Sequence, residues 1–170
     1  PPALRIEGLC KTYRSSHLGR LTETVAVSDV SLRVESGEVF GLLGLNGSGK
    51  TTTLKLILGL LRPDAGRLEL LGKAMPDRAV LGRVGYLPEA ACLSRHLTCR
   101  EALRLLAGLS GLSATLRGER VPRLIEQVGL ARSADRPIAE FSKGMLQRAM
   151  IAQALIHDPK ILILDEPTSG

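Results

Sequence analysis

The sequence predicts an α/β protein with a parallel sheet core, an antiparallel β layer at its edge and an inserted helical subdomain. The uninterrupted apolar run over residues 39–43 is typical of a strand buried on both faces of a parallel sheet. Alternating apolar and polar residues over 4–9 and 25–34 favour strands with one covered face. Residues 90–157 have a helical character instead, which predicts the inserted subdomain.

The composition of the 170-residue chain is that of one globular domain. Hydrophobic residues make up 44% and charged residues 24%, which excludes a disordered chain, and no apolar run approaches the ~18 residues of a membrane span. The net charge of +6 comes from basic residues spread along the sequence, and with only two Tyr and two Phe for stacking we expect no nucleic-acid partner. Three cysteines without a CxxC pair indicate a reducing cytoplasm rather than disulfides or a zinc site.

The first two strands, 4–9 and 25–34, are predicted to form the antiparallel edge layer. The polar stretch RSSHLGRLTE between them is predicted to be a loop. Residues 39–43 then form the buried strand that leads into a glycine-rich segment.

That segment, GLNGSGKT, fits the pattern GxxxxGK[ST] without a mismatch and is followed by a helix. Glycines let backbone N–H groups close around a polyphosphate, and the positive end of the helix adds to the attraction. Lys50 is predicted to reach the β- and γ-phosphates, and the Thr51 hydroxyl to hold Mg²⁺. The predicted nucleotide ligands are Gly44, Leu45, Asn46, Gly47, Ser48, Gly49, Lys50, Thr51 and Thr52.

Tyr13, just before the predicted loop, has two interpretations. A lone tyrosine is more often a packing residue, but one of only four aromatic residues near a nucleotide loop could stack on a base. After the phosphate loop, a helix is predicted over 52–61 and a short strand over 67–72. A further strand over 83–87 stops at Pro88, which puts Glu89 at a strand end, where parallel sheets bind ligands.

The helical subdomain is predicted to contain two helices before its last one. Thr98 and Glu101 have the form of a capping box, and the leucines of the first helix supply its apolar face. A second helix is predicted over 114–128 with its arginines facing outward as a solvated face, although a partner-binding role stays open. The inward residues predicted for the two helices are Ala102, Leu103, Leu105, Leu106, Leu109, Leu116, Leu124, Ile125 and Val128.

A last helix, KGMLQRAMIAQALIH, begins after Ser142. Its start offers free N–H groups that could form a second anion site, but the local pattern alone favours an ordinary capped amphipathic helix.

The strand ILIL that follows ends in Asp165 and Glu166. Adjacent acids at the end of a buried strand are costly unless they meet a cation or water. We therefore assign Asp165 to Mg²⁺, together with the loop hydroxyl, and Glu166 to orienting or deprotonating the attacking water. The alternative for Glu166 is a surface acid that starts a turn, since Pro167 and Thr168 follow it.

Over essentially its full length the chain resembles the nucleotide-binding subunit of ATP-binding cassette (ABC) transporters, which have a P-loop NTPase (RecA-like) fold. The resemblance is carried by the ordered set Tyr13, GLNGSGKTT, YLPE, FSKGMLQR and ILILDEPTSG, and the third and fourth segments look most like cassettes of bacterial ABC-2 or drug exporters. It implies ATP and Mg²⁺ as cofactors. It also implies that Tyr13 stacks on adenine, that Glu89 is the Q-loop residue near the metal, and that Glu166 is the general base.

The resemblance further implies that Ser142 and Gly144 bind the γ-phosphate held by an opposing subunit. Two copies would then dimerise head to tail around ATP and drive export through an integral membrane permease, at the cytoplasmic face of the cell membrane. The implied nucleotide-binding core is 1–89 with 158–170, and the helical subdomain is 90–157. Because the chain stops just after the Asp-Glu pair, we expect it to be part of a longer domain and inactive alone.

The sequence departs from the family pattern in three ways. Glu89 replaces the usual glutamine, and Lys143 and Met145 stand in the signature where Gly and Gln are commonest. The stretch between Tyr13 and Val25 is long for the family. The alternative function is a soluble ABC ATPase in translation or DNA maintenance, and a third is a non-catalytic ATP sensor. A GTPase is disfavoured because the chain has no NKxD motif.

Overall fold

The computed structural model describes residues 2–17, 20–90 and 92–166. The chain divides into two compact units, Pro1–Leu81 and Gly82–Gly170. The end of the predicted acid motif, residues 167–170, lies outside the described residues.

The first unit contains a four-stranded antiparallel sheet. Its strands are β1 (Leu4–His17), β2 (Arg20–Val34), β3 (Ala65–Leu70) and β4 (Lys73–Ala74), in the order β2-β1-β3-β4. Each neighbouring pair is antiparallel. The predicted antiparallel layer is therefore present.

Two helices complete the first unit, α1 (Lys50–Ile57) and α2 (Arg78–Leu81). Helix α1 lies against β2. It ends earlier than predicted because Gly59 takes a left-handed conformation (φ 66°) that stops helices. The buried hydrophobic residues of this unit are Ile6, Leu9, Val27, Leu56, Ile57, Leu58, Leu68, Leu70 and Val80.

The predicted loop RSSHLGRLTE is instead part of a β-hairpin. Strands β1 and β2 stay paired from Thr12↔Val25 to His17↔Arg20. Backbone pairing across the hairpin overrides a polar composition that, by itself, is typical of loops. The turn residues 18 and 19 lie outside the described residues.

The predicted buried strand over 39–43 is wrong for this structure. These residues form no strand, and Val39 and Leu43 are 99% and 93% exposed. A strand requires a neighbour to complete its hydrogen bonds, and the described strands of the first unit pair only among themselves. The apolar run therefore lacks the hydrogen bonds to a neighbouring strand that its pattern predicts.

The second unit combines a parallel strand pair with a helical cluster. Strands β5 (Val84–Leu87) and β6 (Ile161–Leu164) pair in parallel, from Val84↔Ile161 to Leu87↔Leu164. The helices are α3 (Cys99–Leu109), α4 (Ala114–Gln127) and α5 (Lys143–Leu155), with short 3₁₀ turns at Ala131–Ser133 and Ile138–Glu140.

The helices of the second unit bury a narrower face than predicted. Leu105 and Leu109 are exposed, because the buried residues of α3 are Cys99, Leu103 and others on a different face. Leu116 on α4 is also exposed, since the buried residues of that helix lie further along, at Val121, Leu124 and Ile125. The arginines of α4 were all predicted to face outward, but Arg117 and Arg120 are partly buried and only Arg123 is exposed. The core residues of the cluster are Leu87, Leu93, Cys99, Ala102, Leu103, Ala107, Val121, Leu124, Ile125, Leu130, Ala134, Ile138, Ala149, Met150, Ala152, Ala154 and Ile156.

Each of the three long helices of the second unit begins at a side-chain cap. Thr98 and Glu101 form the predicted capping box, and Ser113 accepts from the amide of Leu116. Ser142 caps α5 in the same way. Within the described ranges, none of the helices has the length and apolar character that crossing a bilayer requires.

Candidate nucleotide site

The side chain of Lys50 is folded back onto the glycine-rich loop. Its Nζ donates to the carbonyl oxygens of Gly44 at 2.8 Å and Leu45 at 3.1 Å. The amide of Ser48 also donates to the Leu45 carbonyl, which closes the turn. The ammonium group is therefore held over the loop, where polyphosphate oxygens are expected to bind.

Two glycines of the loop lie close to other atoms. A Cβ on Gly44 would lie 2.5 Å from the Ser48 hydroxyl, which can rotate away. At Gly49, φ is 91° and a Cβ would lie 2.1 Å from the carbonyl oxygen of Ala26 on β2. Gly49 thus supplies both a left-handed turn and the close approach of the loop to the sheet.

Helix α1 begins at this loop without a side-chain cap on Gly49. Its first N–H groups have no partner within the helix, which makes this end a site for anions. Thr53 is buried and its hydroxyl donates to the Gly49 carbonyl at 3.0 Å, so that the helix start is tied to the loop. Thr51 is exposed, so its side chain is open to a ligand.

The phenol of Tyr13 lies beside the first turn of α1. Its oxygen is 3.5 Å from the hydroxyl oxygen of Thr52, and the residue is 40% exposed. The first unit therefore brings Tyr13 together with the phosphate loop, although the two are 39 positions apart in sequence. A ring that is half open to solvent beside this loop can pack against a further planar group.

In the second unit, the parallel pairing of β5 and β6 brings the predicted acids to one edge. Leu87 pairs with Leu164, and the amide of Asp165 donates to the Leu87 carbonyl at 2.9 Å. Glu89 follows β5 and Glu166 follows β6, so both lie beyond the carboxyl ends of neighbouring strands. Both residues are exposed.

Asp165 is the buried acid of this edge, at 6% exposure. The hydroxyl of Tyr86 donates to its Oδ2 at 3.5 Å. Burial, with the charge of Asp165 beside it, raises the pKa of Tyr86, which therefore keeps its proton and remains a donor. Within the described part of the second unit, the ion pairs involve other residues, and none neutralises Asp165.

The oxygen donors at this edge fit a magnesium ion. A buried carboxylate without a cationic partner is costly unless a cation or water is near. Mg²⁺ commonly binds one or two carboxylates together with hydroxyls, water and phosphates rather than a cage of acids. Among the described residues, no group of three or more His, Cys, Asp or Glu could enclose a metal.

Glu166 has a left-handed backbone (φ 49°), which is uncommon for a residue with a side chain. It is exposed where Asp165 is buried, as expected if successive residues at a strand end face opposite ways. Such strain is often found at functional sites.

Ser142 and Gly144 stand at the start of α5. The Ser142 hydroxyl accepts from the Met145 amide at 3.3 Å, so it acts as a helix cap. A Cβ on Gly144 would meet nothing within 4 Å. Ser142, Lys143 and Gly144 are all exposed, and they form an open helix terminus.

Sequence reasoning missed the contact between Tyr86 and Asp165. Tyr86 pairs with Ile163, so it shares a face of the strand pair with the residue two positions after its partner. The sequence shows the tyrosine in YLPE, but it does not show the register of β5 against β6 that places this tyrosine beside Asp165.

Comparison with known proteins connects these features to a family. The model of the family described as "ABC transporter" matches residues 27–169. An ABC transporter ATP-binding protein of Nostoc sp. is 45% identical over 100% of this chain and 51% of its own length. The Nod factor export ATP-binding protein I of Burkholderia pseudomallei is 44% identical over 89% of this chain and 50% of its own.

Solved structures give the same result. One, described as an ATP-binding subunit of an ABC transporter, has a TM-score of 0.79 and 34% identity over 98% of this chain and 67% of its own. Another, a dimeric post-hydrolysis state of an ATP-binding cassette bound to ADP and Pi, has a TM-score of 0.83 and 26% identity, over 98% of this chain and 75% of its own. They confirm the predicted fold class. The chain spans about half the length of the curated relatives it matches.

Proposed function

Because the chain belongs to the ABC transporter family, we propose that it is the ATP-binding, ATP-hydrolysing part of a transporter subunit that powers export through a separate membrane permease. The observation that carries this proposal is the geometry of the phosphate loop, with Lys50 held over it by Gly44 and Leu45. That arrangement is suited to a nucleoside triphosphate, because it holds a positive charge at a glycine-rich loop that begins a helix.

Binding begins at the loop. Lys50 exchanges its two carbonyl partners for phosphate oxygens, which carry full charge and make stronger hydrogen bonds. The uncapped N–H groups at the start of α1 add further donors. Tyr13, beside Thr52, packs against the adenine ring.

The acids and the loop hydroxyl serve the metal and the water. Thr51 in the first unit, and Asp165 and Glu89 in the second, would each offer an oxygen of the kind that Mg²⁺ prefers, and the ion, when bound, would neutralise charge that develops on the phosphates. Tyr86 orients the Asp165 carboxylate by donating to it. Glu166 accepts a proton from the attacking water as general base.

A second copy of the subunit completes the site. The exposed start of α5 offers Ser142, Gly144 and free backbone donors to the γ-phosphate bound by the opposing loop. ATP then stabilises the dimer, because only in the dimer does the nucleotide contact both subunits. Hydrolysis of ATP allows the dimer to dissociate. The dimeric structural relative supports this arrangement.

The names of the curated relatives support a membrane partner and transport in the export direction. One is named for Nod factor export, and the two curated relatives reported above are named as ABC transporter or export proteins rather than as translation or DNA-maintenance factors. We infer a place at the cytoplasmic face of the membrane, held there by an integral permease.

The full-length protein with Glu166→Gln tests the proposal. Loss of the general base is expected to lower phosphate release by a factor of about 10² to 10⁴, while ATP binding remains and an ATP-dependent dimer accumulates. Undiminished phosphate release in this variant would contradict the role of Glu166. Co-purification of the tagged wild-type protein with a polytopic membrane protein tests the transport role, and consistent recovery without one would count against it.

A further inference from the structure

Asp64 lies where strand β1 leaves its neighbour β3. The last pair between these strands is Cys10↔Ala65, whereas β1 continues beside β2 to His17. From Lys11 onward, one edge of β1 has no strand beside it among the described residues of the first unit. Backbone groups at such an edge need other partners.

The carboxylate of Asp64 takes the place of the missing strand. Its Oδ2 accepts from the amide of Thr12 at 2.7 Å, and its Oδ1 accepts from Lys11 Nζ at 2.8 Å. The amide of Asp64 also donates to the Cys10 carbonyl at 2.9 Å. Three consecutive residues of β1 are therefore bound to one aspartate.

These contacts differ from an isolated surface ion pair. The side chains of Lys11 and Asp64 are 17% and 48% exposed, and a second bond joins the carboxylate to the backbone amide of Thr12. The bond from Lys11, followed by the one from Thr12, lowers the pKa of Asp64 below its usual value, so the carboxylate is ionised at neutral pH. An isolated exposed pair would hold the strand only weakly.

Tyr13 is the next residue along the strand. The pairing of β1 with β2 shifts register on both sides of Lys11, so the direction of the strand changes there. Two residues later the phenol of Tyr13 reaches the hydroxyl of Thr52 in the first turn of α1. Asp64 thus anchors the bend that aims this ring at the phosphate loop.

We propose that Asp64 is a positioning residue for nucleotide recognition, which holds Tyr13 against α1 and thereby sets the part of the affinity that depends on the base. The inference rests on the proposed function, in which Tyr13 packs against adenine. It assigns no contact between Asp64 and the nucleotide. Asp64 acts only through the strand that carries Tyr13.

The first test measures the position of Tyr13 without nucleotide. The full-length protein is labelled with 3-fluorotyrosine, and the ¹⁹F resonance of Tyr13 is assigned by its loss in Tyr13→Phe. Asp64→Ala is expected to move this resonance toward that of free 3-fluorotyrosine. The matched control is Asp77→Ala, because Asp77 also accepts a backbone bond, from Val80 at 3.0 Å, and is expected to leave the resonance in place.

The second test separates the base from the phosphates. The affinities of ATP and of inorganic tripolyphosphate are measured with Mg²⁺ in the same variants. Asp64→Ala is expected to weaken ATP by about fivefold, a part of the full value of base stacking, and to leave tripolyphosphate unchanged. Asp64→Asn retains an acceptor for the Thr12 amide. Its loss of ATP affinity is therefore expected to be less than half of the loss in Asp64→Ala.

The outcomes are distinct. Equal weakening of ATP and tripolyphosphate, or an unmoved ¹⁹F resonance, would show a merely structural role and overturn the inference. If Tyr13→Ala leaves ATP affinity unchanged, Tyr13 does not bind adenine, and both that part of the proposed function and the inference about Asp64 are wrong. If Tyr13→Ala weakens ATP binding and Asp64→Ala does not, only the inference about Asp64 is wrong.

Discussion

The side-chain nitrogen of Lys50 lies 2.8 Å from the carbonyl oxygen of Gly44, the first residue of the glycine-rich loop. The lysine at the end of the motif is thus hydrogen-bonded to its beginning, and the loop between them is drawn into a ring. The positive charge of Lys50 is thereby held at the loop, where a polyphosphate is expected to bind.

Replacing Lys50 by alanine is expected to weaken ATP binding by about 10- to 100-fold. A hydrogen bond to a charged group contributes ~1.5–3 kcal/mol, and each 1.4 kcal/mol is a factor of about ten. Isothermal titration calorimetry on the full-length protein measures the change. Lys55→Ala, an exposed lysine on the same helix, is the control, and a loss below twofold for Lys50→Ala would contradict the assignment.

Gly49→Ala is expected to destabilise the protein by at least ~2 kcal/mol, from strain at φ 91° and the clash with the Ala26 carbonyl. For a chain of this size that is a drop of about 4–8 °C in Tm, measurable by calorimetry. Gly41→Ala, where a Cβ meets nothing within 4 Å, is expected to leave Tm unchanged. Equal Tm values for the two variants would show that the loop does not approach β2 so closely.

Gly144→Asp separates the fold of α5 from its use between subunits. The position has open space, and an acid in the first turn favours a helix, so Tm and monomeric ATP binding are expected to stay unchanged. A carboxylate facing the γ-phosphate of a second copy would repel it, and ATP-dependent dimerisation is expected to weaken at least tenfold.

Sedimentation of this variant in the Glu166→Gln background measures the dimer. Gly118→Asp, at an equally open position on α4, is the control and is expected to dimerise normally. A full-strength dimer with Gly144→Asp would remove α5 from the composite site.

Acid is expected to remove the stabilisation that comes from Asp135. Its carboxylate accepts from Arg100 at 2.7 and 3.1 Å, and these bonds lower its pKa in the folded state. Because the folded pKa is below the unfolded value of about 3.9, the contribution is complete above that pH and is lost as pH falls through the folded pKa.

Urea unfolding from pH 7 to pH 2.5 measures this effect. The wild type is expected to be more stable than Asp135→Asn at pH 7, and the difference is expected to close at the acid end. In an Arg100→Ala background the substitution should have little pH-dependent effect. A gap that stays constant over the whole range would contradict the linkage.

Local signals in the sequence predicted the parts of the site that local chemistry determines. The phosphate loop depends on glycines at fixed spacing, and the capping box at Thr98 and the cap at Ser142 depend on bonds across three residues. Asp165 and Glu166 were recognisable because an apolar strand ends in two acids. These features form wherever the surrounding chain permits.

Long-range pairing decided the rest. RSSHLGRLTE has the composition of a loop yet continues a hairpin, because β1 and β2 satisfy each other's backbone groups. Residues 39–43 have the composition of a buried strand yet form none, since no described strand of the first unit lies beside them. The local composition of a segment indicates which environment suits its side chains, but it does not indicate which other segment its backbone will pair with.

The sequence by itself therefore determined the family, the phosphate loop with Lys50, and the acids at the end of β6. Only the tertiary structure decided that Tyr86 donates to Asp165 and that Tyr13 reaches Thr52. It also decided that Asp64 binds the amide of Thr12 on β1, next to Tyr13. The physical reason is sequence separation. Contacts between residues 39 to 79 positions apart depend on strand register and packing, which no short stretch of sequence encodes.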